Sequence, residues 1–216
     1  MIEAVIFDMD GLLVDSEPAW FRARVDLVQQ HGATWTAADQ LSMAGVHTDV
    51  WVQAVYDKLG GALSKEEILG DNVTRMVGYY EAGDVPILPG ATEAIAACAE
   101  RYRVGLASGS PQRLIEACLQ GAGWSGYFEC WISGDELEHG KPAPDIYFEI
   151  MRRMQLDRGT TAVVEDSGAG IQSGKAAGTH VVAVPNQHTN PGSEVLALAD
   201  ACIPTLHELP AVLEDF

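Results

Sequence analysis

The sequence predicts an α/β protein: a doubly wound parallel sheet with an α-helical domain inserted after its first strand. Three observations carry that expectation. Five short runs, EAVIFD (3–8), RVGLAS (103–108), CWISG (130–134), TAVVED (161–166) and HVVAVP (180–185), are apolar almost without interruption. Unbroken apolarity over strand length implies burial on both faces, as in a parallel sheet held between helices. Helix-like segments at 92–101, 111–123, 144–154 and 168–178 alternate with the strands, the rhythm of right-handed βαβ units. That rhythm breaks once: from about Asp15 to Pro86 every patterned stretch reads as helix.

Each element follows from its local chemistry. The first run ends in FDMDG, where Gly11 lets the chain turn sharply after two acids. PAWFRARVDLVQQHG, DVWVQAVYDKLG and SKEEILGDNVTRMVGYYEAG supply the helices of the insert. DVPILPG (84–90) closes the insert with two prolines and a glycine, a hinge or linker signal. The expected division is a core of residues 1–14 and 88–216 and a cap of residues 15–87. Ser110-Pro111 reads as an N-cap and first-turn proline opening a helix. The one long polar loop is PNQHTNPGS, 185–193.

Composition narrows the function. Asp and Glu number 31 against 13 Lys and Arg, a formal charge of −18. Such a chain repels nucleic acid and anionic membranes, which are held by clustered basic residues. An anionic substrate would need a metal ion or a locally placed lysine. Cys98, Cys118, Cys130 and Cys202 show no paired spacing, so all four are expected to be buried free thiols in a reducing cytoplasm. The N-terminus does not have the pattern of a signal peptide, and no apolar run reaches membrane-spanning length. A cytoplasmic monomer acting on a small molecule is the expectation.

Ligands of an open parallel sheet bind beyond the carboxyl ends of its strands. Those ends gather Asp8 and Asp10, then Ser108, Gly109 and Ser110, then Glu165, Asp166 and Ser167, with Lys141 in GKPAPD nearby. Period-two alternation aims Asp8 and Asp10 to one side and Met9 to the other. Four carboxylates at one edge repel one another unless a cation lies among them. With oxygen ligands and no soft donors, that cation is expected to be Mg²⁺. Carboxylates, Mg²⁺, a lysine and helix-start amides together suit phosphoryl transfer, which needs positioning and charge neutralisation. A calcium loop is excluded because the glycine of DMDG falls at the fourth position, not the sixth. GAGIQSG lacks the third glycine of a dinucleotide loop and follows two acids.

FDMDGLLVDSEP, LASGSP, GKPAPDIY and VVEDSGAGIQSGKAAG resemble, in order and spacing, the four motifs of haloacid dehalogenase superfamily phosphatases, across residues 6–178. The helical insert is similar to the cap of the β-phosphoglucomutase and sugar-phosphatase branch. The resemblance implies a Rossmann-like core in which Asp8 is a nucleophile that becomes an aspartyl-phosphate. Asp10 would protonate the leaving oxygen and later activate water, while Ser108, Gly109 and Lys141 hold the phosphoryl group. Mg²⁺ would be held by Asp8, the Asp10 main-chain carbonyl and Asp166, with Glu165 acting directly or through water.

The resemblance leaves the reaction open between two chemistries. Mutases of this branch carry a histidine beyond the hinge and a cap-loop arginine that grips a second phosphate. Here those places hold Trp20 and Thr48. An indole and a hydroxyl favour hydrolysis of a monophosphorylated sugar or polyol, with the mutase as alternative. Trp20, His47, Thr48 and Trp51 are the expected substrate-facing cap residues. A phosphoaspartate signalling receiver is a further alternative, disfavoured by the insert and by Asp10.

Overall fold

The structure, a computed structural model, describes residues 1–43, 48–186 and 191–216. Its centre is a six-stranded, wholly parallel sheet. The strands are β1 (Ala4–Phe7), β2 (Arg103–Ser108), β3 (Cys130–Ser133), β4 (Thr161–Glu165), β5 (His180–Ala183) and β6 (Ala201–Cys202), in the order β3-β2-β1-β4-β5-β6. Chain order runs outward from β1 in both directions, so the sheet is doubly wound. The two-residue β6 has no counterpart in the sequence expectation, because it is too short to leave an apolar run.

Alternation along each strand builds two cores. Val5 and Phe7 of β1 face one side with Val104, Leu106 and Val164. Ile6 faces the other, with Ala107, Ile132, Val163 and Val181. Helices α5 (Ala91–Ala99) and α6 (Gln112–Gly121) cover the first side through Ile95, Cys98, Leu114 and Leu119. Helices α7 (Asp145–Met154) and α8 (Gly168–Ala177) cover the second through Ile146, Ile150, Met154 and Ile171. Two short helices, α9 (Ser193–Leu196) and α10 (Leu209–Val212), finish the chain. Helix α6 starts one residue later than expected: Pro111 itself is the cap, with extended backbone at ψ 145° and no side-chain cap bond. The cysteine expectation holds for Cys98 and Cys118, while Cys130 is half-buried and Cys202, on the edge strand, is exposed.

Between β1 and α5 the chain forms α1 (Glu17–Gln30), α2 (Ala37–Leu41), α3 (Thr48–Lys58) and α4 (Lys65–Ala82). Their ends are written in the sequence. Thr36 with Asp39, and Ser64 with Glu67, form reciprocal capping boxes, each satisfying two otherwise orphaned donors. Gly83, at φ 73°, stops α4 in the left-handed conformation that glycine adopts without strain. The buried stripe of α1 (Trp20, Ala23, Arg24, Leu27, Val28) has helical spacing, and its apolar members join the first core.

The entry and exit of this helical segment lie side by side. Leu88 N–H donates to Leu13 O at 2.9 Å, and Asp15 N–H to Pro86 O at 2.9 Å. Helix α4 then packs on α6, close enough that a Cβ on Gly121 would sit 3.0 Å from the Tyr80 carbonyl. No helix among the described residues is long and apolar enough to cross a membrane.

Leu106 is fully buried in β2, between β1 and β3. Leu106→Ala is expected to lower the unfolding free energy by about 2–5 kcal/mol, read from urea denaturation followed by far-UV circular dichroism.

Candidate active site

The site is built where β1, β2 and β4 end. Asp8 continues β1 by one bond, its N–H donating to Val164 O at 3.0 Å, and its side chain is nearly buried. Lys141 reaches in from the segment before α7. Its Nζ donates to Asp8 Oδ1 at 2.6 Å, to Glu165 Oε1 at 2.6 Å and to the Ala107 carbonyl at 3.1 Å. The Tyr147 hydroxyl donates to the same Glu165 oxygen at 2.6 Å, and Ser167 Oγ donates to Oε2 at 3.1 Å. Glu165 is therefore the anchor of the lysine as well as a candidate ligand. It has room only because residue 170 is glycine: a Cβ there would fall 1.9 Å from the Glu165 carboxylate.

Asp10 sits apart from this trio, in a cradle of hydroxyls. Ser16 Oγ donates to Oδ1 at 2.7 Å, while Ser108 and Ser110 donate to Oδ2 at 3.0 and 2.8 Å. Ser108 Oγ also accepts from the Ser110 N–H at 2.9 Å. Ser108 is fully buried and spends its hydroxyl on Asp10, so Gly109 and Ser110 are the residues of this loop that reach the cavity. Gly11, at φ 82°, lies where a Cβ would be 2.5 Å from Asp166 Oδ2. The Asn186 amide donates to the Gly11 carbonyl and, at 3.1 Å, to Asp166 Oδ2.

The electrostatics of this floor favour a cation. Burial pushes the Asp8 carboxyl well above its ordinary range, and Glu165, Asp166 and Asp10 add to the rise against the opposing pull of Lys141. Burial works the other way on Lys141, but Asp8 and Glu165 outweigh it and hold the ammonium well above its usual value. Lys141 is therefore charged, and one ammonium is shared by more carboxylates than it can neutralise. Asp8, Glu165 and Asp166 offer oxygens within 4.8 Å of one another. Those hard donors and that surplus of negative charge fit a divalent cation. The Asp10 carboxylate is outside this group, which leaves only its main chain for the metal role expected of it.

Above the carboxylates lies a cavity of 180 Å³. Its floor is Asp8, Asp10, Gly109, Ser110, Lys141 and Asp166, and its far wall is Glu17, Trp20, Arg24, Met43, Thr48 and Trp51. Of the expected cap residues, Trp20, Thr48 and Trp51 line this cavity, while His47 lies outside the described residues. Trp20 and Trp51 pack with ring centroids 5.7 Å apart. Against both rings stands a residue the sequence reading missed. The Arg24 guanidinium lies 5.0 Å from the Trp20 centroid and 4.8 Å from that of Trp51. Thr48 supplies no guanidinium to this wall, but Arg24 does. Its signal was present in α1, where a charge occupies the apolar stripe four residues after Trp20.

A sequence model of the haloacid dehalogenase-like hydrolase family matches residues 2–178. The chain belongs to that family. This haloacid dehalogenase-like hydrolase is 33% identical over 213 residues to hexitol phosphatase B of Escherichia coli (strain K12), covering 97% of this chain and 95% of that protein. It is 28% identical to the phosphorylated carbohydrates phosphatase of Thermotoga maritima, over 99% of both. Its fold matches the crystal structure of CbbY from Rhodobacter sphaeroides in complex with phosphate, with TM-score 0.88 and 24% identity over 97% of this chain and 96% of that one. Membership of a hydrolase family sets the signalling-receiver alternative aside.

Removing the lysine leaves buried carboxylates uncompensated. Lys141→Met is expected to destabilise the metal-free protein by about 3–5 kcal/mol, measured as the difference in urea unfolding free energy in the presence of a chelator.

Proposed function

We propose that the chain is a Mg²⁺-dependent phosphatase that hydrolyses a small phosphorylated sugar or polyol through an aspartyl-phosphate on Asp8. The observation that carries this is the state of Asp8. Lys141 occupies Oδ1, and the other carboxylate oxygen, at the cavity floor, has no hydrogen bond among the described residues. A carboxylate held by one oxygen and open at the other is arranged for nucleophilic attack. The two phosphatase relatives support the substrate class.

Asp8 attacks phosphorus as the bond to the leaving oxygen breaks, and the Asp10 carboxyl gives its proton to that oxygen. In the second step Asp10, now a carboxylate, takes a proton from water as water attacks phosphorus. The bond to Asp8 then breaks, phosphate leaves and both acids return to their first state. Hydroxyls accept as readily as they donate, so Ser16, Ser108 and Ser110 hold Asp10 in place whichever form it takes. Lys141 and the loop at Gly109 and Ser110 steady the phosphoryl oxygens. Bound Mg²⁺, held by Asp8, Asp166 and the Asp10 carbonyl, would neutralise charge on the transferred group.

Residues 15–87 act as a cap over this floor, and the side-by-side linkers are its hinge. Closure brings Trp20, Thr48 and Trp51 over the substrate and expels water.

Phosphate release from hexose, pentose and hexitol phosphates with Mg²⁺ tests the reading. Asp8→Asn is expected to abolish release, and Asp10→Asn to lower kcat by about 10²–10⁴-fold. Conversion of β-glucose 1-phosphate to glucose 6-phosphate without net release would make the protein a mutase instead. Mg²⁺ at a hundred times its Kd is expected to raise Tm by about 5–10 °C. Asp166→Asn should remove that shift in the same thermal scan.

A further inference from the structure

The wall of the cavity opposite the carboxylates contains a charge that the phosphoryl chemistry does not use. Arg24 is 4% exposed. Its Nη1 donates to Gln40 Oε1 at 2.9 Å, and this is its one hydrogen bond among the described residues. A guanidinium carries five donors, and Nε is buried with no partner. Burial lowers the group to about 10, with Glu17 opposing the fall, so it remains charged at neutral pH. Leaving buried donors of a charged group unmade is costly. The two indole faces fix where the group sits, and neither accepts those N–H bonds in the plane of the guanidinium.

The geometry points to Arg24 as the residue that reads the end of the substrate remote from the phosphate, by donating to a hydroxyl there. This rests on the reading of the protein as a sugar or polyol phosphatase and names how that class is selected. A hydroxyl fits better than a second phosphate because of Glu17, which lines the same cavity. Gln40 ties the two together, accepting from Arg24 and donating to Glu17 Oε2 at 3.0 Å. An anion would gain Arg24 but meet Glu17 and the acidic floor. A hydroxyl can accept from Arg24 and donate to Glu17, while the indoles of Trp20 and Trp51 take its carbon-bound face.

Binding measured apart from turnover tests this. In the Asp8→Asn background with Mg²⁺, calorimetry would compare glucitol 6-phosphate with its 1-deoxy and 2-deoxy analogues. The parent site is expected to prefer the intact ester over at least one analogue by about ten- to hundredfold. Adding Arg24→Met should erase that preference, and Arg24→Lys should keep only part of it. Equal weakening of all three esters by Arg24→Met would mean a packing role and overturn the proposal, as would an unchanged preference. If the methionine variant does not fold by near-UV circular dichroism, the lysine variant decides, and a fully retained preference overturns it. An Arg24-dependent preference in a protein whose wild type releases no phosphate would remove the phosphatase reading and keep this one. Phosphate release with no such preference would do the reverse.

Discussion

One buried ammonium organises the end of the sheet. Lys141 joins the end of β1 to the end of β4 by donating to Asp8 and Glu165, and it ties both to β2 through the Ala107 carbonyl. Desolvating these charges is costly, and their mutual attraction offsets that only with close geometry and further hydrogen bonds. The surrounding residues supply those bonds. Tyr147 and Ser167 complete Glu165, Gly170 makes space for it, and Ser173 of α8 holds the lysine segment by donating to the Ala143 carbonyl at 2.7 Å. The same network leaves the second oxygen of Asp8 without a hydrogen bond among the described residues. Fold and chemistry therefore share one electrostatic knot.

Much of this was legible in the sequence for a physical reason. Residues buried on both faces of a parallel strand must all be apolar, so the acids that end FDMD and VVED stand out against their strands. Their convergence follows from parallel topology alone. Features that depend on three-dimensional neighbours were not legible in this way. The sixth strand is two residues long and carries no pattern. Ser108 reads as a phosphate contact, but only packing shows that Asp10 takes its hydroxyl. Tyr147 looks like an ordinary core aromatic of α7 until its hydroxyl is seen on Glu165. Arg24 is an intermediate case. Its place on the apolar stripe of α1 was visible, but the two tryptophans it packs against come from α1 and α3, which only the tertiary fold brings together.

The cavity divides its charge unequally. Its floor is strongly acidic and is compensated in part by Lys141. Its far wall pairs one arginine with one glutamate through Gln40 and is otherwise aromatic and apolar. Under the proposed function, a phosphate ester would lie with its dianionic end at the floor and its hydroxylated end toward the indoles.

The adjacent linkers have a consequence for how such a protein is assembled. The strands of chain that leave β1 and return toward α5 are hydrogen-bonded to each other between residues 13 and 15 on one side and 86 and 88 on the other. Topologically, the helical segment is a pendant: a short turn could replace it without moving either end of the core. Its interior, however, is continuous with the core beneath α5 and α6. Connectivity makes the segment exchangeable, whereas packing makes it integral. Any different helical segment placed at this junction would have to supply a matching apolar underside for α6.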